Sequence, residues 1–264
     1  AMRLLMVVRE DTVFLQHRLP IAVAARRTGY DVHVFSVDTG KLDCIRGMGF
    51  TTHELPQTVH WLPFWGTLKN LFYYVAAFRR LKPDIIHLSS TYVCLFGGVA
   101  ALFVRRSRVV LSFTGLGYIF SANRQTWKFL LTLLKPIIAY IWNRPNIFPL
   151  FQNKDDAEEL RALGLSKRNP EFIVGAGVDV DLFRPGGKRR VNDEFVIGCA
   201  SRLLQDKGIH HVVSAMEKVH RKSARAVVKF AGSTDPFNPS SLSDAEIARW
   251  KDLPNVRFIG HQAD

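Results

Sequence analysis

Asp84-Ile85-Ile86-His87-Leu88 and Arg108-Val109-Val110-Leu111-Ser112-Phe113 are two short apolar runs, separated by a small-residue stretch from Tyr92 to Val104. Short runs dominated by Ile, Val and Leu suit strands buried on both faces. The stretch between them is long enough for the helical crossover that a parallel pair requires. This strand–helix–strand unit predicts a parallel sheet, and the same alternation continues in both directions. Upstream, Arg3 to Val8 reads as the first strand and Val32 to Val37 as the next. A helix between them begins at about Pro20 and stops at Gly29. Proline suits a first helical turn, and glycine a C-terminal cap. Downstream, Asn146 to Phe151 and Glu171 to Val174 read as strands, with a helix from Asp155 to Leu163 capped by Gly164.

Pro185-Gly186-Gly187-Lys188-Arg189-Arg190 breaks the pattern with a polar, glycine-rich linker. The alternation then restarts. Phe195 to Ala200 is a strand, Ile209 to His220 a helix, Ala226 to Ala231 a strand, Ser241 to Lys251 a helix and Val256 to Ile259 a strand. The expected organisation is a Rossmann-like domain over 1–184, a linker over 185–194 and a second Rossmann-like domain over 195–264. A doubly wound domain normally needs about five or six strands, so the chain is expected to stop partway through the second. The fold class is α/β with parallel sheets, the second domain incomplete.

The 264 residues are 47% apolar and 22% charged, which is a globular composition rather than a disordered one. Lys and Arg number 36 against 23 Asp and Glu, leaving +13. That balance favours an anionic partner: nucleic acid, an acidic membrane or a phosphorylated substrate. Cys44, Cys94 and Cys199 make an odd count without close pairing, so a reducing compartment is the default. The apolar run Leu4 to Val8 ends at Arg9, too short for a signal sequence. Phe129 to Trp142 is broken by Lys135-Pro136 and falls short of a membrane span. A soluble or peripheral protein is expected.

The sharpest polar constellation is Ala200-Ser201-Arg202-Leu203-Leu204-Gln205-Asp206-Lys207-Gly208, lying between a strand and a helix. A parallel sheet binds ligands at its carboxyl edge, where this loop falls. Arg202 offers a planar fork for phosphate oxygens, and Lys207 a mobile point charge. Gly208 lets the backbone come close, and the helix N-terminus adds oriented N–H groups. Together they suit a diphosphate, although spacing alone fits a solvated basic loop equally well. Neither a phosphate-loop motif nor GxGxxG is present, which removes the usual support for an ATPase or a dehydrogenase.

Gly177-Val178-Asp179-Val180-Asp181-Leu182-Phe183-Arg184-Pro185, followed by Ser201-Arg202 and Lys207-Gly208-Ile209, resembles the family-4 retaining glycosyltransferases of the GT-B fold. Leu253-Pro254-Asn255-Val256-Arg257-Phe258-Ile259-Gly260 continues the likeness. Phe14-Leu15-Gln16-His17-Arg18-Leu19-Pro20, Asp84-Ile85-Ile86-His87 and Gly115-Leu116-Gly117-Tyr118 are similar to a narrower subgroup. Its members are bacterial enzymes that build lipid-linked saccharides, including bacillosamine-type N-acetylgalactosaminyltransferases. The loop Gly232-Ser233-Thr234-Asp235-Pro236-Phe237-Asn238-Pro239 is similar to theirs as well. The order and spacing of these motifs extend over nearly the whole chain.

The resemblance implies an acceptor-binding N-terminal domain and a second domain for a UDP-sugar. Arg202, Lys207 and Gly208 would hold the donor diphosphate, and Gly232, Ser233 and Asn238 would form the donor loop. His17, Arg18, Thr114, Gly115 and Gly117 would lie on the acceptor side. Retaining members are thought to let the donor phosphate help deprotonate the acceptor hydroxyl, which fits a sequence with no obvious acid–base pair. No cofactor or metal is implied. A hexose or N-acetylhexosamine would pass to a lipid-linked saccharide at the inner, cytoplasmic face of the cell membrane, in polysaccharide or glycan assembly.

Three features depart from the family. Arg9-Glu10-Asp11-Thr12-Val13 stands where a glycine-rich loop often follows the first strand. Thr114 occupies the place of a frequent histidine, against a histidine-assisted mechanism. The family's paired glutamates, which bracket ribose and sugar, are expected beyond Asp264, so residues 1–264 alone are expected to show no transferase activity.

Other residues have plainer readings. His17 and Arg18 also suit a surface or capping role, and His87 a core histidine. His210-His211 lack metal-ligand spacing. Asp179-Val180-Asp181 is a D-x-D, but it sits inside the inter-domain motif rather than in a metal-binding setting. His60-Trp61-Leu62-Pro63-Phe64-Trp65 and the acid-free segment from Trp127 to Arg144 suit either core packing or an anionic bilayer. Two rivals remain: a nucleotide-sugar 2-epimerase of the same architecture, and a basic binding module without catalysis. No nucleic-acid motif supports the latter.

Overall fold

A computed structural model of the chain describes residues 1–56, 63–104, 106–115, 135–167, 169–175, 177–181, 183–184, 194–235, 238 and 240–262. The chain divides into two compact units, Ala1–Val180 and Asp181–Asp264.

The first unit opens with β1 (Arg3–Glu10), α1 (Asp11–His17), α2 (Leu19–Arg27), β2 (Asp31–Val37), α3 (Leu42–Gly47), β3 (Thr51–Glu54) and α4 (Pro63–Leu81). It continues with β4 (Ile85–Ser89), α5 (Thr91–Ala100), a 3-10 turn (Ala101–Phe103) and β5 (Arg108–Phe113). A helix described over 135–142, here α6, precedes β6 (Ile147–Phe151), α7 (Lys154–Ala162) and β7 (Glu171–Phe172). The seven strands lie in the order β3-β2-β1-β4-β5-β6-β7, and every pairing is parallel.

β1 shows why the run Leu4 to Val8 is apolar throughout. Leu5 and Val7 join a core with Tyr74 and Phe78 of α4 and Val93 of α5. Leu4, Met6 and Val8 point the other way, against Phe14 of α1, Ala22 of α2 and Ile45 of α3. Successive side chains alternate between faces, and both faces are covered, so no position can be polar. The chain order reverses between β1 and β4, and the carboxyl ends of these strands flank the crevice where such sheets take ligands.

The second unit holds β8 (Phe195–Ala200), a 3-10 turn (Gln205–Lys207), α8 (Ile209–Lys222), β9 (Ala226–Ala231), α9 (Asp244–Lys251) and β10 (Val256–Gly260). Its described strands pair in parallel in the order β10-β9-β8. Ile209, Val213 and Met216 of α8 pack with Val228 and Phe230 of β9 and with Trp250 of α9. α9 begins with a full capping box, in which Ser243 and Glu246 bond each other's backbone N–H.

Six elements depart from the sequence reading. α1 forms where a loop is expected, and α3 and α4 have no counterpart in the sequence pattern. β3 is a short polar edge strand that alternation of apolar residues could not reveal. The strand expected over Glu171 to Val174 contracts to Glu171–Phe172, leaving Ile173 and Val174 exposed. The small-residue helix ends at Ala100 and passes into the 3-10 turn. Gly117, the linker residues 185–193, His60 to Leu62 and most of the segment from Trp127 lie outside the described residues.

Candidate functional site

In the second unit, the loops that follow β8 and β9 emerge side by side at the carboxyl edge. They are bonded together along their length. Leu203 donates its N–H to the Ser233 carbonyl at 2.9 Å, and Leu242 donates to the Leu203 carbonyl at 3.0 Å. Leu204 and Ser241 form an isolated antiparallel bridge. Gly232 makes this approach possible: a Cβ there would lie 1.9 Å from the Ser201 carbonyl oxygen, and its φ is +154°. Only glycine fits both conditions.

Arg202 is exposed and donates from Nη1 to Asp235 Oδ2 at 2.7 Å. Lys207 is exposed at the end of the 3-10 turn, with no ion pair among the described residues. Gly208 adopts φ 72° and caps α8 with no side-chain bond; among the described residues the N–H groups of Ile209 and His210, the first two of a 14-residue helix, have no partner and are open to an anion. The structure therefore brings Arg202, Lys207 and Gly208 to one loop, with Gly232 and Ser233 beside it. Asn238 Oδ1 accepts the Ser240 N–H at 2.9 Å and so shapes the turn of that loop. Gln205 and Asp206 in turn donate their N–H groups to Ser240, at 2.7 Å to its carbonyl and 3.1 Å to its hydroxyl.

In the first unit, His17 and Arg18 part company. His17 ends α1 on the surface, whereas Arg18 is only 4% exposed. The Arg18 guanidinium donates from Nε to Ser89 Oγ at 3.0 Å and from Nη2 to Ser112 Oγ at 3.4 Å. It thus lies across the carboxyl ends of β4 and β5. Burial pulls its pKa down from the ordinary arginine value. Thr114 is exposed just past β5, and the Gly115 carbonyl accepts from Thr91 Oγ1 at 2.5 Å. His87 is buried, and burial followed by the Arg18 charge lowers its pKa to about 4, so it is neutral at pH 7.

The loop after β1 has its own logic. Asp11 is fully buried and accepts from the N–H groups of Thr12 at 2.7 Å, Thr39 at 2.9 Å and Lys41 at 2.8 Å, and from the Thr39 hydroxyl. Burial raises its pKa, but these hydrogen bonds together outweigh that and hold it below the carboxylate norm. A charged anchor occupies the place where a glycine-rich loop is common in the family. Asp11, Ser89, Ser112 and Asp235 all escape sequence reasoning, because each acts through a partner distant in the chain.

His210 Nε2 lies 2.9 Å from Glu246 Oε1, and its ring meets Trp250 edge-on. Among the described residues no group of three or more His, Cys, Asp or Glu could hold a metal ion.

Parallel, doubly wound architecture in the first unit and a second Rossmann-like unit carrying an anion-ready loop define the GT-B class of fold. Solved structures share it. Sucrose-phosphate synthase from Thermosynechococcus elongatus is similar at a TM-score of 0.72 and 14% identity, over 99% of this chain and 71% of that one. Anabaena HepE in complex with UDP and glucose is similar at 0.68 and 15%, over 100% and 70%. The UDP-GlcNAc 2-epimerase from Methanocaldococcus jannaschii is similar at 0.57 and 12%, over 100% and 74%. The chain belongs to the glycosyl transferase 4-like family, whose model matches residues 3–148. It is 23% identical over 254 residues to the capsular polysaccharide biosynthesis glycosyltransferase CapM of Staphylococcus aureus. That match covers 90% of this chain and 63% of CapM, so the chain spans less than two thirds of its relative's length.

Proposed function

We propose that this protein is a retaining glycosyltransferase that moves a hexose or N-acetylhexosamine from a UDP-sugar to a lipid-linked saccharide. The observation that carries the reading is the loop Arg202 to Gly208, where a guanidinium, an ammonium and an uncapped helix N-terminus share one sheet edge. Such a set neutralises a diphosphate in the ground state and, more strongly, the charge that grows on it as the sugar leaves. Gly232 and Ser233 line the neighbouring loop. The acceptor hydroxyl loses its proton to the donor's own phosphate, so no side chain need act as base. No cofactor or metal enters this scheme.

The acceptor meets the N-terminal unit, and a basic protein working on a lipid-borne acceptor is suited to the anionic cytoplasmic face of a membrane. Among the described residues no helix is long and apolar enough to cross one. CapM belongs by name to capsular polysaccharide biosynthesis, which supports a role in surface-glycan assembly. HepE, a structure with UDP and glucose bound, supports the donor class. The fold is also that of UDP-GlcNAc 2-epimerases, which favours one second reading: isomerisation of the free UDP-sugar. Incubating the full-length protein with UDP-sugars, with and without a lipid-linked acceptor, tests both. Acceptor-dependent release of UDP supports transfer, and a C2 epimer formed without acceptor overturns it.

A further inference from the structure

Arg18 carries a full charge at 4% exposure, yet no carboxylate pairs with it among the described residues. Its side-chain bonds there are to the hydroxyls of Ser89 and Ser112, and Nη1 makes none. Burying an unpaired cation is costly, and folded proteins ordinarily compensate one with an anion. The titratable neighbours supply none: His87 is neutral, and burial pushes the Cys94 thiol well above its usual range.

A second set of donors meets the same strand ends. Ser90 follows Ser89 directly and holds φ 89°, a conformation that L side chains rarely adopt and that is therefore strained. Its Oγ is buried without a hydrogen-bond partner, and it gives no side-chain cap to α5. Among the described residues the first three N–H groups of that ten-residue helix therefore stay open. Guanidinium, hydroxyl and helix N–H donors at the carboxyl ends of the same two strands match the several oxygens of a phosphoryl group better than the two of a carboxylate.

We propose that Arg18, Ser89, Ser90 and the N-terminus of α5 form a second anion subsite, which takes a phosphoryl group carried by the acceptor. The inference rests on the reading of the N-terminal unit as the acceptor side. It assigns Arg18 to the phosphorylated part of the acceptor rather than to its sugar. Ser89 and Ser112, register partners on β4 and β5, hold the guanidinium at the strand ends.

Inorganic pyrophosphate and farnesyl pyrophosphate, each titrated calorimetrically into full-length protein saturated with UDP, provide the test. UDP occupies the donor loop, so binding beside it reports on the other site. The expected result is that both probes bind, farnesyl pyrophosphate more tightly, and that Arg18→Gln weakens each by about tenfold or more, equal to about 1.4 kcal/mol. Arg18→Lys, which keeps the charge and loses the fork, should fall between. UDP affinity should stay unchanged in both variants. No binding beside UDP, or equal binding in wild type and Arg18→Gln, overturns the subsite. Tighter binding of inorganic pyrophosphate than of the prenyl form overturns the acceptor as its source. Failure of UDP itself to bind indicts the donor reading instead, and the titrations are then repeated without UDP in the Arg202→Ala/Lys207→Ala protein.

Discussion

Arg202 and Asp235 form an ion pair, Nη1 to Oδ2 at 2.7 Å, so the arginine expected to grip a diphosphate already holds a carboxylate. The pair is partly solvent-exposed and worth about 1 kcal/mol, whereas a hydrogen bond to a charged phosphate is worth about 1.5–3 kcal/mol. A diphosphate is therefore expected to displace Asp235 from Arg202. Replacing Arg202 or Lys207 with Ala should weaken UDP binding by about 1.5–3 kcal/mol. Asp235→Asn should strengthen it by no more than about fivefold. Calorimetry with UDP checks both, and unchanged affinity in Arg202→Ala and Lys207→Ala together sinks the diphosphate clamp.

Gly232→Ala forces a methyl group against the Ser201 carbonyl at a φ of +154°. The loops after β8 and β9 must separate, at a cost of about 2 kcal/mol or more. Urea unfolding should show that loss together with weaker UDP binding. Gly198→Ala is the control, since nothing lies within 4 Å of its Cβ position. Equal stability of the two variants would contradict the close approach.

His87 and His53 make stability depend on pH. Both have pKa values lowered to about 4, His87 by burial and then Arg18, and His53 by burial and then His33, Arg80 and Arg3. Both rings therefore stay neutral in the folded protein down to about pH 4, while in the unfolded chain they take up protons below about 6.5. Stability is flat above about pH 6.5 on their account and falls as the pH drops from there towards 4. The buried His87 alone accounts for about 3 kcal/mol of that loss, and the half-buried His53 for less. Asp11 and Asp31, whose pKa values are lowered, add their own losses only at still lower pH. Urea midpoints between about pH 7 and pH 4 measure the slope, and His87→Gln should flatten it. An unchanged slope in that variant would exclude His87 as its source.

One face of α4 offers a test of the proposed membrane association. Lys69, Phe72 and Arg79 are exposed at helical spacing, and the Arg79 guanidinium lies over the exposed Phe103 ring, 5.4 Å from its centre. The helix contains no acid. Aromatic and cationic groups side by side suit an interface with anionic headgroups. Co-sedimentation with phosphatidylglycerol vesicles should fall with added salt and with Phe72→Ser/Phe103→Ser. Serine at Trp61, Phe64 and Trp65 should weaken it further if that stretch inserts. Equal partitioning onto neutral vesicles would mean that the +13 charge serves another partner.

The strands of both sheets were legible because burial on two faces writes itself as runs rich in Val, Ile and Leu, as in Arg108–Phe113. β3 was not, since an edge strand of Thr-Thr-His-Glu carries no apolar signature. α1 was hidden for another reason: its first residue, Asp11, is charged yet buried, and only its bonds to Thr39 and Lys41 explain that. The loop Arg202 to Gly208 could be read from residue types at short spacing. The placement of Arg18 could not, because Ser89 and Ser112 come from strands 71 and 94 residues away.

The Asp11 carboxylate has a practical consequence for exchanging parts between relatives. It joins the segment after β1 to residues 39–41 after β2, so the two loops are inherited as one module. A chimera that imports a glycine-rich first loop alone would strip Thr39 and Lys41 of their acceptor. One that imports the second loop alone would strand a buried negative charge. Recombination that retunes this end of the molecule has to cut on the far side of both.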